Sequence, residues 1–377
     1  MVKIAFLHSE LMVGGAEQML QNVMTRMDRT QLEPLVATLY NRGVIGEQLE
    51  SKGIKVHAHM ARSKWDPFVG YRLMRLFKKE NVKVIYVGDS ALPMFWAGWI
   101  RRRNPQIKLV IAFHSTGKIG NVIQFAIANR MAFPVTDRFI ALAETHREFL
   151  CKNFKLPKNK FSIVAGCTDT ERFQPIDDKG TAKKAVGIEP DAPVVGIVAA
   201  LRPEKNHSLF IKMAATLHSK FPKAKFIIVG DGTERARLEE EAKEQDAIDY
   251  VIFLGSRKDT PDLYNAMDVD VLCSHPVIET FPQVLLEAQA CSIPIVSTDV
   301  GSIRDVIVDG ETGFLVPRGD LKALVYKVEQ LLNDADSRKK MGQTGRERVV
   351  RLFKVEDMVS GYGNVFLEAA QLGDNTK

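Results

Sequence analysis

Short apolar runs rich in β-branched residues alternate along this chain with longer stretches of helical polar–apolar spacing. Lys3–Leu7, Leu35–Leu39, Lys55–His59, Val82–Val87, Lys108–Ala112, Arg138–Ala141 and Phe161–Val164 read as strands. Most are separated by a helix-length segment with Gly or Pro between, which predicts parallel strands joined by crossover helices. A second series begins near Pro193 and runs VVGIVAA, KFIIVG, YVIFLG, VDVLC, IPIVS and TGFLV. Between the two series, Gln174 to Pro193 is rich in Asp, Lys, Gly and Pro with little apolar periodicity, as a hinge would be. The expectation is α/β, with one domain over 1–175 and another over 176–350. In the tail 351–377, Met358, Val359, Tyr362, Val365, Phe366 and Ala369 form one helical stripe, which by pattern alone caps either domain.

A chain of 377 residues has room for two full cores, and 45% hydrophobic with 26% charged residues is ordinary for a water-exposed fold. Cys151, Cys167, Cys273 and Cys291 are scattered without a Cys-x-x-Cys pair, which points to a reducing compartment rather than a disulfide frame or zinc site. The start, MVKIAFLHSE, has an apolar run too short for a signal peptide, and Ala91 to Ile100 is about half a membrane span. A cytoplasmic protein without a transmembrane helix is expected. Charge is unevenly shared: residues 1–175 carry 26 Lys and Arg against 14 Asp and Glu, and the remainder 26 against 32. A basic half invites an acidic partner. No zinc finger, ribonucleoprotein or helix-turn-helix signature supports nucleic acid. The segment FVGYRLMRLFKKE sets Arg72, Arg75 and Lys79 near one helical face and Val69, Leu73, Leu76 and Phe77 opposite. It reads as a core-packed helix with a solvated basic face, or as a peripheral contact with the inner face of an anionic membrane, which Arg101, Arg102 and Arg103 favour.

In open parallel sheets, ligands bind beyond the carboxyl ends of the strands. Five polar motifs fall there: Gly14-Gly15 after the first strand, His114 after KLVIAF, Arg202 and Lys205 after VVGIVAA, Gly230-Asp231-Gly232 after KFIIV, and Glu279 after VDVLC. Arg202 and Lys205, three apart on a loop entering a helix, are placed to converge on one diphosphate. Glu279 and Glu287 flank a helix that Pro282 is expected to start from its first position. The first-turn N–H groups of Gln283 and Val284 then face an anion at the positive helix end. One carboxylate can accept from one hydroxyl-rich group and the second from another, so a ligand with a sugar at each end and phosphate between fits.

The Glu-x7-Glu pair, with EAQACSIPIVSTDVG and DGETGFLV after it and Gly14 to Glu17 (GGAE) near the start, resembles the retaining nucleotide-sugar glycosyltransferases of family 4. The resemblance covers nearly the whole chain. It implies the GT-B fold: two Rossmann-like, doubly wound parallel-sheet domains facing a central cleft, acceptor-binding first and donor-binding second. The terminal helix would cross back to the first domain. It implies catalytic roles for His114 beside the donor sugar, Glu279 on that sugar's hydroxyls, and Arg202 and Lys205 on the diphosphate. Gly14, Gly15, Gly230, Asp231, Gly232, Thr280, Phe281, Gln283, Val284 and Glu287 would bind the donor, with Glu287 on the nucleotide ribose. Transfer would proceed with retention and without a metal, from a UDP-sugar in preference to a GDP-sugar. The acceptor would be a saccharide or lipid-linked saccharide, in envelope or surface-polysaccharide synthesis. Gly166-Cys167 stands where the family often has Asn-Gly, and Gly301-Ser302 where it often has two glycines, so acceptor and donor fit differ there.

Other readings are weaker. Asp268-Val269-Asp270 has the Asp-x-Asp spacing of metal-dependent transferases, but stands at the wrong end of its strand. His57 and His59 alternate on one expected strand without further ligands nearby. A nicotinamide oxidoreductase needs a Gly-x-Gly-x-x-Gly turn that neither glycine loop supplies. A sugar-nucleotide epimerase or phosphorylase on the same scaffold, and a non-catalytic sugar-nucleotide binder, are the remaining alternatives.

Overall fold

The computed structural model describes residues 1–12, 15–63, 66–115, 122–275 and 279–372. The chain forms two compact units: Met1–Gly166 with Val355–Lys377, and Cys167–Lys354.

The first unit is built on seven strands: β1 (Val2–His8), β2 (Leu32–Thr38), β3 (Lys55–His57), β4 (Val84–Gly88), β5 (Lys108–Ala112), β6 (Arg138–Ala141) and β7 (Phe161–Ile163). They lie in the order β3-β2-β1-β4-β5-β6-β7, and every pairing is parallel. Period-2 alternation splits each central strand between two cores. Ala5, Leu7, Ile85, Val87, Leu109 and Ile111 share a core with Leu73, Met94 and Phe125 from the crossover helices. Phe6 and Tyr86, on the opposite face, pack against the terminal helix Val355–Gln371. Ring centroids of Phe6 and Phe366 are 5.7 Å apart, and those of Tyr86 and Phe366 6.0 Å.

Several strand limits of this unit differ from the sequence pattern by one to three residues, and two of the differences have a clear physical reason. β2 starts at Leu32 rather than Leu35, through Pro34, because β3 pairs only from Leu35 onward and so asks no N–H of Pro34. β3 ends at His57, and His59 has φ +59, so His57 and His59 do not alternate on one strand.

The second unit has β8 (Val194–Val198), β9 (Lys225–Val229), β10 (Val251–Gly255), β11 (Val269–Leu272), β12 (Ile295–Thr298) and β13 (Gly313–Val316), in the parallel order β10-β9-β8-β11-β12-β13. In both sheets the chain winds outward one way from the first strand and then returns to continue on its other side. The points of reversal, between β1 and β4 and between β8 and β11, are where crossovers leave the strand ends open.

The unit boundaries fall at 166/167 and 354/355, against the 175/176 and 350/351 of the sequence pattern. The displaced residues have partners in the second unit. Thr168 N–H donates to the Phe353 carbonyl (3.2 Å), the Phe173 ring lies 6.1 Å from Tyr264, and Arg346 donates to the Phe173 carbonyl (3.1 Å).

Candidate active site

In the second unit, the loops after β8 and β11 meet at the reversal point. The β8 loop turns through the single 3-10 turn Pro203–Lys205, closed by Asn206 in the left-handed region (φ 51). This turn carries Lys205 to Glu279, which follows β11, and the two form an ion pair through Glu279 Oε1. Ser274 Oγ donates to the same oxygen at 2.5 Å. The Glu279 side chain is only 5% exposed. A carboxylate this buried requires compensating donors, and Lys205 and Ser274 supply them. Oε2 has no partner among the described residues.

The backbone around Glu279 is pinned from three neighbours. His275 N–H donates to the Glu204 carbonyl (2.8 Å), tying the two loops together. The Thr298 hydroxyl donates to the Ser274 carbonyl (2.9 Å). Ser302 N–H donates to the Glu279 carbonyl (3.0 Å). Gly301 comes so close that a Cβ there would sit 1.8 Å from the Glu279 carbonyl oxygen, and its φ is +58.

The helix Gln283–Ala290 begins one residue later than the sequence reading has it. Pro282 is extended (φ −72, ψ 109) and flanks the helix, so Gln283 is its first residue and the first-turn donors follow from there. Glu287 lies further along, partly buried. Tyr264 Oη, which donates to the Val284 carbonyl (3.0 Å), also approaches Glu287 Oε2 at 3.4 Å. Burial pushes the Glu287 carboxyl up to about 7, against the opposing pull of Arg172 and the Tyr264 hydrogen bond. Phe281 is buried with its ring 5.6 Å from Phe353, and Thr280 is buried beside it.

Arg202 is exposed, and its guanidinium has no partner among the described residues. Lys205 thus engages Glu279, a contact that Arg202 does not share among the described residues. Gly230 has φ +143 because the β9 loop passes against the Ala199 carbonyl, where a Cβ would be 2.0 Å away. Asp231 accepts from Gly232 N–H (2.7 Å) and pairs with Arg235 (3.2 Å), so its carboxylate shapes its own turn. Asp268 is held by Lys183 Nζ (2.9 Å) and Val194 N–H (2.8 Å) at the amino end of β11. Among the described residues no group of three or more His, Cys, Asp or Glu is arranged to hold a metal ion.

In the first unit, Gly15 opens the helix Gly15–Arg26, while Gly14 lies outside the described residues. His114 follows β5 and meets the Tyr86 hydroxyl through Nε2 at 2.8 Å. Burial holds the His114 imidazole below its usual range, and Asp89 opposes that effect. Asp89 accepts from Ser115 N–H (3.0 Å) and from the Ser115 hydroxyl. His146 Nδ1 accepts from Leu142 N–H (3.3 Å), so its Nε2 carries the proton and donates to the Ser115 carbonyl (3.0 Å). His8, at the end of β1, is pushed down to about 4 by burial. The first unit thus holds a neutral imidazole-rich cluster at its own reversal point.

Sequence reading missed Ser274, Tyr264, Arg172, Asp89 and His146, and named Ser302 only as a departure from the family's double glycine. None of the five has a local motif, and apart from Ser274, which shares the loop of Glu279, each reaches its place from another element. Ser274, two positions beyond β11, carried the one usable signal, a polar residue at a carboxyl strand end.

Residues 13–172 match the family described as "Glycosyltransferase Family 4", and residues 178–348 match "Glycosyl transferases group 1". N-acetyl-alpha-D-glucosaminyl L-malate synthase of Bacillus anthracis is 27% identical over 323 residues, covering 83% of this chain and 82% of that protein. The capsular polysaccharide biosynthesis glycosyltransferase CapM of Staphylococcus aureus is 30% identical over 313 residues, covering 80% and 81%. Among solved structures, HepE of Anabaena in complex with UDP superposes with a TM-score of 0.85 at 20% identity, covering 97% of this chain and 100% of that one. The chain belongs to the family 4 glycosyltransferases and has their GT-B fold.

Proposed function

We propose that this glycosyltransferase moves a sugar, with retention of configuration, from a UDP-sugar to a saccharide or lipid-linked saccharide in surface-polysaccharide synthesis, without a metal. The observation that carries the reading is the buried Glu279 carboxylate, fixed through Oε1 by Lys205 and Ser274, while Oε2 has no partner among the described residues. An oriented acceptor of this kind suits the hydroxyls of a donor sugar, to which it is complementary without being spent as a nucleophile. The UDP bound to HepE and the capsular role in the name of CapM favour the donor and the pathway class.

In this mechanism Lys205 and Arg202 face the diphosphate, and the first-turn N–H groups at Gln283 and Val284 add donors at a positive helix end. The Glu287 carboxylate receives the ribose hydroxyls. The C1–phosphate bond breaks, and the acceptor oxygen bonds to C1 from the same face. The acceptor's proton passes to the departing phosphate oxygen, so no protein base is consumed. Cations stabilise the charge that develops on that oxygen, the task a metal performs in other transferases. His114, held by the Tyr86 hydroxyl, has the role beside the donor sugar that the family resemblance implies.

Glu279→Gln and Lys205→Ala are expected to cut turnover at least ~100-fold, the scale of one lost transition-state electrostatic contact. Turnover is measured as sugar transfer from radiolabelled donor. Near-normal rates in both variants would remove the assignment. Epimerised donor formed without an acceptor would favour the epimerase reading instead.

A further inference from the structure

Three helices of the first unit lie side by side over one face of its sheet: Val69–Lys79, Ala91–Arg103 and Val122–Ala132. Their inner residues fill a common core. Together they contain eight Lys and Arg and no Asp or Glu. Each helix returns from the carboxyl end of one strand to the start of the next parallel strand, so all three run the same way. Each begins with apolar residues and carries cations toward its end, the first also having Arg72 and Arg75 nearer its start. Phe68 and Tyr71 lead to Lys78 and Lys79, Phe95 and Trp96 to Arg102 and Arg103, and Val122 and Ile127 to Arg130. The topology therefore sorts one outer face into an apolar rim and a basic flank.

Both zones are open. Phe68 is 62% exposed, Tyr71 56%, Val122 81% and Ile127 53%. The rim contains a groove of about 480 Å³ with Tyr40, Phe95, Trp96 and Ile127 in its wall. The flank contains a second groove of about 640 Å³ whose cations are Arg75, Lys78, Lys83 and Arg103, with no carboxylate among its described lining residues. None of these four forms an ion pair among the described residues, and Arg103 stacks 3.9 Å from the Trp99 ring centroid. Other cations of the face have partners: Arg72 is engaged by Asp66, and Arg101 by Asp137.

We propose that the outer face of these three helices seats the protein on an anionic phospholipid surface, with headgroup phosphates against the basic groove and the apolar rim entering the headgroup–acyl boundary. Exposed aromatics beside unpaired cations match that boundary, where rings settle and each cation adds attraction. A nucleic acid would meet the cations but not the aliphatic rim. A second copy, pairing isologously, would bring like charge against like. The proposal goes beyond the transfer reaction and stands whether or not the donor assignment holds.

The test is co-sedimentation of the full chain with phosphatidylcholine vesicles, with and without phosphatidylglycerol. Binding is expected to require the anionic lipid and to weaken with salt. Arg75→Glu with Lys78→Glu and Arg130→Glu is expected to lower partitioning about 100-fold or more, since each basic residue contributes roughly fivefold. Phe68→Ser with Ile127→Ser is expected to make the remaining binding fully releasable by salt. UDP-induced thermal shift, read on the same variants, should stay at the wild-type value and shows that they are folded. Equal binding to neutral vesicles, no binding at low salt, or a wild-type dimer dissolved by the same substitutions would overturn the proposal.

Discussion

At the residue scale, the position of Glu279 depends on a glycine. With φ +58 and a virtual Cβ at 1.8 Å from the Glu279 carbonyl oxygen, Gly301 accepts no side chain without moving the loop that it supports. Gly301→Ala should cost about 2–4 kcal/mol, from the left-handed backbone and the forced contact together. A displacement of Glu279 by an ångström should lower kcat ~10–100-fold, while UDP affinity, which we propose to rest on the helix start and Glu287, should change little. Gly53→Ala is the control: its φ is +77 but nothing lies within 4 Å, so it bears only the backbone cost. Equal loss of kcat in both variants would show that Gly301 does not position the carboxylate. Lys205 and Glu279 are legible in sequence because they stand in the loops that follow the apolar runs of β8 and β11, and Glu287 because of its spacing from Glu279. Ser274 shares the loop of Glu279 but no motif marks its hydroxyl, and Ser302 donates from the loop after β12. Lys205 is held by its ion pair with Glu279, and Arg202 stands exposed in the same loop.

At the element scale, buried parallel strands write near-continuous apolar runs, which is why the thirteen strands among the described residues are found where such runs occur. The terminal helix is less legible. Its stripe shows that one face is buried but not against which sheet. The partner is set by shape: Phe366 and Tyr362 fit against Tyr86, with Phe6 beside Phe366, on the face that β-alternation leaves apolar. Phe366 is fully buried, so Phe366→Ala should destabilise the first unit by about 3–5 kcal/mol through lost burial and a residual cavity. Tyr86 also holds His114, so the same change should loosen that imidazole. Denaturant unfolding measures the first effect, and the His114 ring resonances in NMR the second. A cost below about 1 kcal/mol, the surface-substitution range, would mean that the helix does not complete this core.

At the scale of the whole molecule, buried titratable groups of opposite kind set the response to pH. His8, His146 and His207 are each lowered from 6.5 to about 4, chiefly by burial. Between these values the unfolded chain binds protons that the folded chain refuses, so stability falls as pH drops below 6.5 and is fully lost to this source near 4. Glu287 acts in the other direction. Raised from 4.5 to about 7, it is protonated in the fold when the unfolded carboxyl is already ionised, so its contribution falls as pH rises from 4.5 to 7. Asp270, buried in β11 and raised well above its usual value, has the same sign. Glu287→Gln should therefore match wild type below pH 4.5 and gain on the order of 2–3 kcal/mol above pH 7. If Glu287 receives ribose hydroxyls as a carboxylate, UDP must drive off its proton, and binding should release protons near pH 6. The UDP-induced rise in melting temperature should then grow between pH 5.5 and 7.5 in wild type and stay flat in Glu287→Gln. A pH-independent shift in wild type would separate this carboxyl from the nucleotide, because linkage requires the two equilibria to move together.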